Sequence, residues 1–259
     1  MPTRAQLEGA LARYSEALRL RSTASKSSKD LLELDRWYRG ELRTTVAERR
    51  TRSTKKGAAD WLTKAELVRL MDWKLARGKW RPRLQQMVAS NPDSAVREAV
   101  SAASAATDRE SALKELSKLK AVGPATASAI LALWYPEDEP FMSDEGIDFA
   151  AALDKGDKGK KAKRDYTVKA WREYRQELQT RLKKEEQWES MEQLEMAIWA
   201  WATLRKYSPE GETAADVEAT AEMATEKEAD GDASEKAKRR GAANSEEVAK
   251  NPSKKRKTR

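Results

Sequence analysis

The chain has 259 residues, 51 Lys or Arg against 43 Asp or Glu, a net charge of +8, and neither Cys nor His. That composition excludes a disulfide framework, a Cys/His zinc or haem site and any Ser-His-Asp or Cys-His nucleophile. Acid–base chemistry would fall to Asp, Glu, Lys or Tyr, and no metal or other cofactor is expected.

Helix signals recur along the chain, and no stretch alternates like a strand, so the expected fold class is all-α. Thr3 and Gln6 make a capping box before the first helix. After a Ser/Lys linker at 22–29, Leu31, Leu34, Tyr38 and Leu42 repeat at steps of three and four. A basic linker at 51–59 precedes a second capping box, Thr63 with Glu66, and a helix through Leu67, Leu70 and Met71 that Gly78 should end. Pro82 opens another helix, Asn91-Pro92-Asp93 turns the chain, an Ala-rich helix covers 94–106, and Asp108 starts one expected to reach Lys120. Pro136 to Pro140 must be a loop, and a helix should begin at Ser143 or Asp144. Trp171, Tyr174, Leu178 and Leu182 form one stripe, and Ser190 with Gln193 caps a last helix carrying Leu194, Ile198 and Trp201.

Three regions are expected: N-terminal helices and linkers at 1–59, a helical domain at 60–208, and a disordered tail at 209–259. The tail has no aromatic residue. Its first half, 211–235, holds nine acids and one Lys; its second, 236–259, holds ten bases and two acids. These charges cancel, so the positive excess sits on the preceding residues and points to an anionic partner. Lys238-Arg239-Arg240 and Lys254-Lys255-Arg256-Lys257 read as a two-part nuclear localisation signal for an import receptor, which places the protein in the nucleus. The longest uncharged run, 121–136, is broken by Gly and Pro and too short for a membrane span, so no membrane partner is expected.

Residues 116–129 carry Leu116, Leu119, Val122, Gly123, Pro124, Ala125, Thr126, Ala127 and Ala129. Gly123 permits unusual backbone angles and close approach, and Pro124 suits the first turn of a helix. The N–H groups of Ala125 and Thr126 would then be free to hold a phosphate oxygen. The pattern resembles the helix-hairpin-helix consensus, with Ala121 in the place of its first glycine. If that position needs positive φ, Ala costs about 1–2 kcal/mol there. The wider arrangement resembles the helix-hairpin-helix DNA glycosylase superfamily over roughly residues 60–150. The resemblance implies a catalytic role for Asp144, 21 residues after Gly123, in stabilising positive charge on the sugar or positioning water. The lyase lysine of that superfamily falls on Ala125, which implies no lyase activity through that position. The stretch from Asp60 to Glu145 is also similar to a eukaryotic protein family with no assigned activity, which implies no mechanism.

Residues 73–84 interleave Trp73 and Trp80 with Lys74, Arg77, Lys79, Arg81 and Arg83. These cations, with Lys120 beside the turn, could neutralise phosphates, and the tryptophans could stack on bases or pack in the core. Trp134 and Tyr135 are candidates for a pocket beside Asp144. Three functions remain open. One is a nuclear protein that binds nucleic acid, duplex DNA first, through the hairpin without reading sequence and without catalysis. The second is a monofunctional glycosylase-like enzyme using Asp144. The third is a nuclear protein-interaction module.

Overall fold

A computed structural model describes residues 2–25, 27, 29–53, 60–155, 164–184 and 188–208; the rest, including both basic runs of the tail, lies outside the described residues. In chain order the helices are α1 (Arg4–Ala12), α2 (Tyr14–Ala24), α3 (Leu31–Arg36), a wide π-helical turn (Trp37–Leu42), α4 (Arg43–Ser53), α5 (Lys64–Arg77), α6 (Pro82–Ala89), α7 (Asp93–Ala105), α8 (Arg109–Leu116), α9 (Pro124–Trp134), α10 (Asp144–Lys155), α11 (Val168–Lys184) and α12 (Met191–Tyr207). There is no strand among the described residues, and no described helix is long and apolar enough to cross a membrane.

The helices begin where the capping chemistry places them. Both Thr capping boxes form, at α1 and α5. Asp30, Asp108 and Ser190 accept hydrogen bonds from first-turn N–H groups of α3, α8 and α12. Pro82 and Pro124 sit in the first turns of α6 and α9, where a missing N–H costs nothing.

Helix α9 organises the interior. Every residue from Ala125 to Trp134 is buried, and a helix apolar on all sides must be enclosed. It is packed by α4, α5, α8 and α11, while α12 lies against α1, α2, α10 and α11. The N-terminal helices pack on the later ones, α1 and α2 against α12 and α2 and α3 against α5.

Two local features depart from the periodicity. Helix α8 stops at Leu116 rather than Lys120, and its end is tightened by Lys118 N–H to Glu115 O and Leu119 N–H to Leu116 O. The π-helical turn, which has no sequence signal, widens the backbone by one residue and swings two side chains inward. Tyr38 stacks on Trp73 with ring centroids 3.8 Å apart, and its hydroxyl donates to Ala129 O on α9 at 2.7 Å. Arg39 reaches Asp35 at 3.2 Å and also pairs with Glu192.

Arg39 belongs to a buried polar network. Asp35 accepts from Tyr14 Oη at 3.0 Å and from Trp73 Nε1 at 2.8 Å. Arg77 Nη2 donates to Glu195 Oε2 at 2.9 Å, and Ser143 Oγ donates to Glu195 Oε1 at 2.9 Å. Arg77 and Glu195 are 1% and 2% exposed, so removing one partner strands the other charge without water. Glu195→Ala is expected to cost about 3–5 kcal/mol, read as a lower urea midpoint. The Arg77→Met/Glu195→Leu double variant, which leaves no unpaired charge, is expected to lose less than the sum of the two single truncations.

Candidate nucleic-acid interface and cleft

A short turn joins α8 to the buried α9, making a hairpin of two packed helices. Helix α8 ends, residues 117–122 turn, and Gly123 caps α9. Ala121 takes the strain, with φ of 62°, the left-handed region, as the only non-glycine residue with positive φ among those described. Gly123 itself is extended, with φ of −89° and ψ of −178°, so it is not needed for unusual angles. A Cβ there would meet nothing within 4 Å. What the missing side chain leaves is open space in front of the first turn of α9.

Asn91 clamps the turn. Its side-chain amide donates to Val88 O at 2.8 Å and Lys120 O at 3.1 Å, and its oxygen accepts from Lys120 N–H at 2.9 Å. Of the two free N–H groups expected, only that of Ala125 stays unused. Thr126 N–H donates to Gly123 O at 2.8 Å. Gly123 N–H is the second donor with no acceptor among the described residues.

The loop before α10 is tied to the same end of α9. Ser128 Oγ accepts from Met142 N–H at 2.9 Å. Ser143 then caps α10, its Oγ accepting from Gly146 N–H at 3.2 Å while donating to Glu195. Gly146 is required by closeness: a Cβ would lie 2.5 Å from the Tyr174 hydroxyl, which donates to Phe141 O at 2.8 Å. Capping therefore falls to Ser143, and the Asp144 carboxylate is left to face outward. It accepts from Arg164 Nη1 at 2.9 Å and Tyr166 Oη at 2.7 Å. Burial and this carboxylate push the Tyr166 phenol up to about 12.

Between α5, the hairpin and α10 lies a cleft of about 290 Å³. Lys74, Arg77, Lys79 and Arg81 line it from α5 and the following segment, Ala121 and Gly123 to Thr126 from the hairpin, Phe141 to Glu145 from the loop and α10, and Tyr166 from the segment before α11. Lys74 has no ion-pair partner among the described residues. Desolvation pulls its amine down to about 8, against the attraction of Asp144 and with repulsion from Arg81. Glu145 likewise has no ion-pair partner among the described residues, and burial raises its carboxyl above the ordinary range, against a hydrogen bond from its own backbone. Among the described residues, no three carboxylates converge closely enough to hold a metal ion.

The sequence-derived site thus divides. Asp144, Gly123, Ala125, Thr126, Lys74, Lys79 and Arg81 meet at one cleft. Arg83 and Lys120 are exposed next to lining residues Leu84 and Ala121. Arg77 also lines the cleft, but its side chain is buried against Glu195, with its guanidinium 4.6 Å from the Trp199 ring and 5.4 Å from those of Trp73 and Phe141. Trp73 is core, stacked on Tyr38. Trp134 and Tyr135 are not at the cleft either. They end α9, roughly 16 Å from its start for 11 residues. There Trp134 meets Trp61 edge-on, and Tyr135 lies 3.4 Å from the Arg109 guanidinium. Asn91, Ser128, Ser143, Glu145, Arg164 and Tyr166 belong to the site and escaped the sequence reading. Only Asn91 and Ser143 had a local signal, each as a turn or capping residue.

Replacing Ala121 by Gly relieves about 1–2 kcal/mol of left-handed strain and adds about 0.4–1 kcal/mol of unfolded-state entropy. Ala121→Gly is therefore expected to stabilise the protein by about 1 kcal/mol, seen as a raised urea midpoint at unchanged slope. No protein-family model, curated protein or solved structure matches the chain, so its function has to be read from the cleft's own geometry.

Proposed function

We propose that this protein binds nucleic acid, duplex DNA first, by laying a phosphate backbone across the hairpin and the cationic rim of the cleft. The observation that carries the reading is the distribution of paired and unpaired cations. Around the core, Arg39, Arg43, Arg49, Arg77 and Arg175 are all spent on carboxylates. At the rim, Lys79, Arg81, Arg83 and Lys120 are exposed and have no ion pair among the described residues. They surround the free N–H groups of Gly123 and Ala125, and no side chain stands in front of Gly123. Backbone donors and mobile cations at one place suit phosphate oxygens, and contact of that kind is blind to base sequence.

The 136–140 loop does not cover these donors. It is held at the far side, where Met191 and Glu192 N–H groups bond Glu137 O and Pro136 O, and buried Glu139 pairs with Arg175. That favours the nucleic-acid reading over a protein-interaction module. The basic runs at 238–240 and 254–257 complete the proposal as the part read by an import receptor for entry to the nucleus.

Binding of the full chain to duplex DNA is expected to weaken steeply with salt. The Lys79→Glu/Arg81→Glu/Arg83→Glu variant, with its tail unchanged, is expected to bind at least about tenfold more weakly and to lose about 2–3 from the slope of log affinity against log salt. Equal affinities and slopes for variant and parent would sink the proposal.

Asp144 supports a second reading of the same site. It lines the cleft rather than capping α10, and Arg164 and Tyr166 hold it in place there. A carboxylate so placed could stabilise positive charge on a sugar during cleavage of an N-glycosidic bond. Duplexes carrying damaged bases should then acquire abasic sites with the parent protein and lose that activity by about 100-fold or more in Asp144→Asn.

A further inference from the structure

Helix α12 carries paired carboxylates in its first turns and only cations at its end. Glu192 takes Arg39 and Arg43, and Glu195 takes Arg77. In the last turn Arg205 and Lys206 are exposed, with no ion pair among the described residues. Arg21 of α2 joins them, and it has no carboxylate among the described residues either. Its Nε donates to Arg77 O at 2.9 Å and its Nη2 to Gly78 O, the carbonyls that end α5. Its guanidinium lies 5.7 Å from the centroid of the Tyr207 ring, and the Lys206 ammonium lies 4.8 Å from the same centroid. The Arg205 guanidinium lies 4.7 Å from the ring of Trp201, which is partly buried. The dipoles of the two helices that end here draw cations to the place. They do not account for three cations gathered without a carboxylate to offset their repulsion.

This cluster is continuous with the cationic rim of the cleft. Gly78, which Arg21 holds, is followed directly by Lys79, the first cation of the rim. The links through Arg21 and Tyr207 put the Lys206 ammonium on the order of 10–15 Å from the end of α5, comparable with the roughly 12 Å of a duplex major groove and the roughly 6 Å of a minor groove. One backbone laid across the hairpin leaves these cations unmatched, whereas the second backbone of a duplex runs a groove width away from the first.

We propose that Arg205 and Lys206, with Arg21 behind them, form a second phosphate-binding surface that receives the opposite strand of a duplex whose first strand lies across the hairpin and the rim at 79–83. The inference rests on the reading of that rim as a phosphate-binding surface and adds the form of the partner, a double helix held by both of its backbones. Arg205 and Lys206 rest on the rings of Trp201 and Tyr207, so part of the rotamer freedom that a phosphate contact would cost is already given up. Both surfaces meet phosphates, and recognition stays blind to base sequence.

The test compares two short duplexes of one sequence at about 0.15 M salt, where exposed charges farther apart than about 8 Å are largely screened. One duplex has phosphates on both strands, and the other has neutral methylphosphonates along one strand. The full chain is expected to bind the half-neutral duplex at least about fivefold more weakly, having lost the contacts of one surface. The Arg205→Gln/Lys206→Gln variant is expected to bind the fully charged duplex about fivefold more weakly than the parent does, and to bind the two duplexes within about twofold of each other, because it can lay the charged strand on the rim. Lys183→Gln/Lys184→Gln removes the same charge from exposed positions at the far end of α11, roughly 25 Å along its 17 residues from the end next to Tyr166. That variant is expected to keep the parent's affinities and their ratio. A parent that binds both duplexes equally overturns the inference. So does an Arg205→Gln/Lys206→Gln variant that keeps the parent's affinity or ratio, or an equal loss in Lys183→Gln/Lys184→Gln. The rim variant keeps the two readings apart. Weaker binding in Lys79→Glu/Arg81→Glu/Arg83→Glu with no effect at Arg205 and Lys206 defeats the second surface alone, and no effect of the rim variant defeats the reading on which it rests.

Discussion

The bond between Glu195 and its two partners is the constraint on which the rest of the molecule depends. One oxygen of this buried carboxylate takes Arg77 from α5, and the other takes the hydroxyl of Ser143 ahead of α10. Two stretches of chain far apart in sequence are thereby fixed to α12. Arg77 spends one edge on the carboxylate. Its Nε and Nη1 have no hydrogen-bond partner and sit among Trp73, Phe141 and Trp199, where a weakly hydrated guanidinium can exchange water for ring faces. Ser143, held by Glu195, is the cap of α10, and so the direction in which Asp144 faces is set from the core.

The hairpin is held with the same economy. Helix α9 cannot move without exposing apolar surface on every side, so its first turn is a rigid reference point. Asn91 pins the preceding turn and Ser128 pins the loop that follows, each through one side chain joining two segments far apart in sequence. The left-handed Ala121 is tolerated because these bonds over-determine the backbone around it. Both walls of the cleft, hairpin and α10, are in this way referred to one buried helix.

The local part of this was legible in the sequence. Capping boxes, the two prolines that open helices, Gly78 and the apolar stripe of α11 each act within a few residues, and the structure keeps them. The turn before α9 and the start of α10 were visible for the same reason, as turn and capping chemistry. Arg77 was not. It stands in a run of solvated cations, and only a carboxylate 118 positions along the chain distinguishes it from Lys79. Arg164 and Tyr166, which orient Asp144, lie 20 and 22 residues beyond it on the far side of a Gly/Lys-rich stretch. Trp134 and Tyr135 misled in the opposite sense: nearness in sequence to the hairpin hid a full helix length between them and the cleft.

Lys74 shows most clearly what the fold gives up to build this cleft. Its amine titrates lower when folded than the ordinary lysine value of about 10.4. Between about pH 8 and pH 10 the unfolded chain therefore binds more protons than the folded one, and stability rises with pH through that window. Below about pH 8 both states are protonated, and the folded protein carries the penalty of a partly desolvated amine. A nearby carboxylate at pairing distance would cancel it, and Asp144 is in the cleft to supply one. Instead Arg164 and Tyr166 take both Asp144 oxygens, so the carboxylate is turned to them and the amine is left alone. An arrangement optimised for stability would have paired these groups; the one present keeps an unpaired amine and an acid of raised affinity for its proton in one cavity with a carboxylate held by two other side chains.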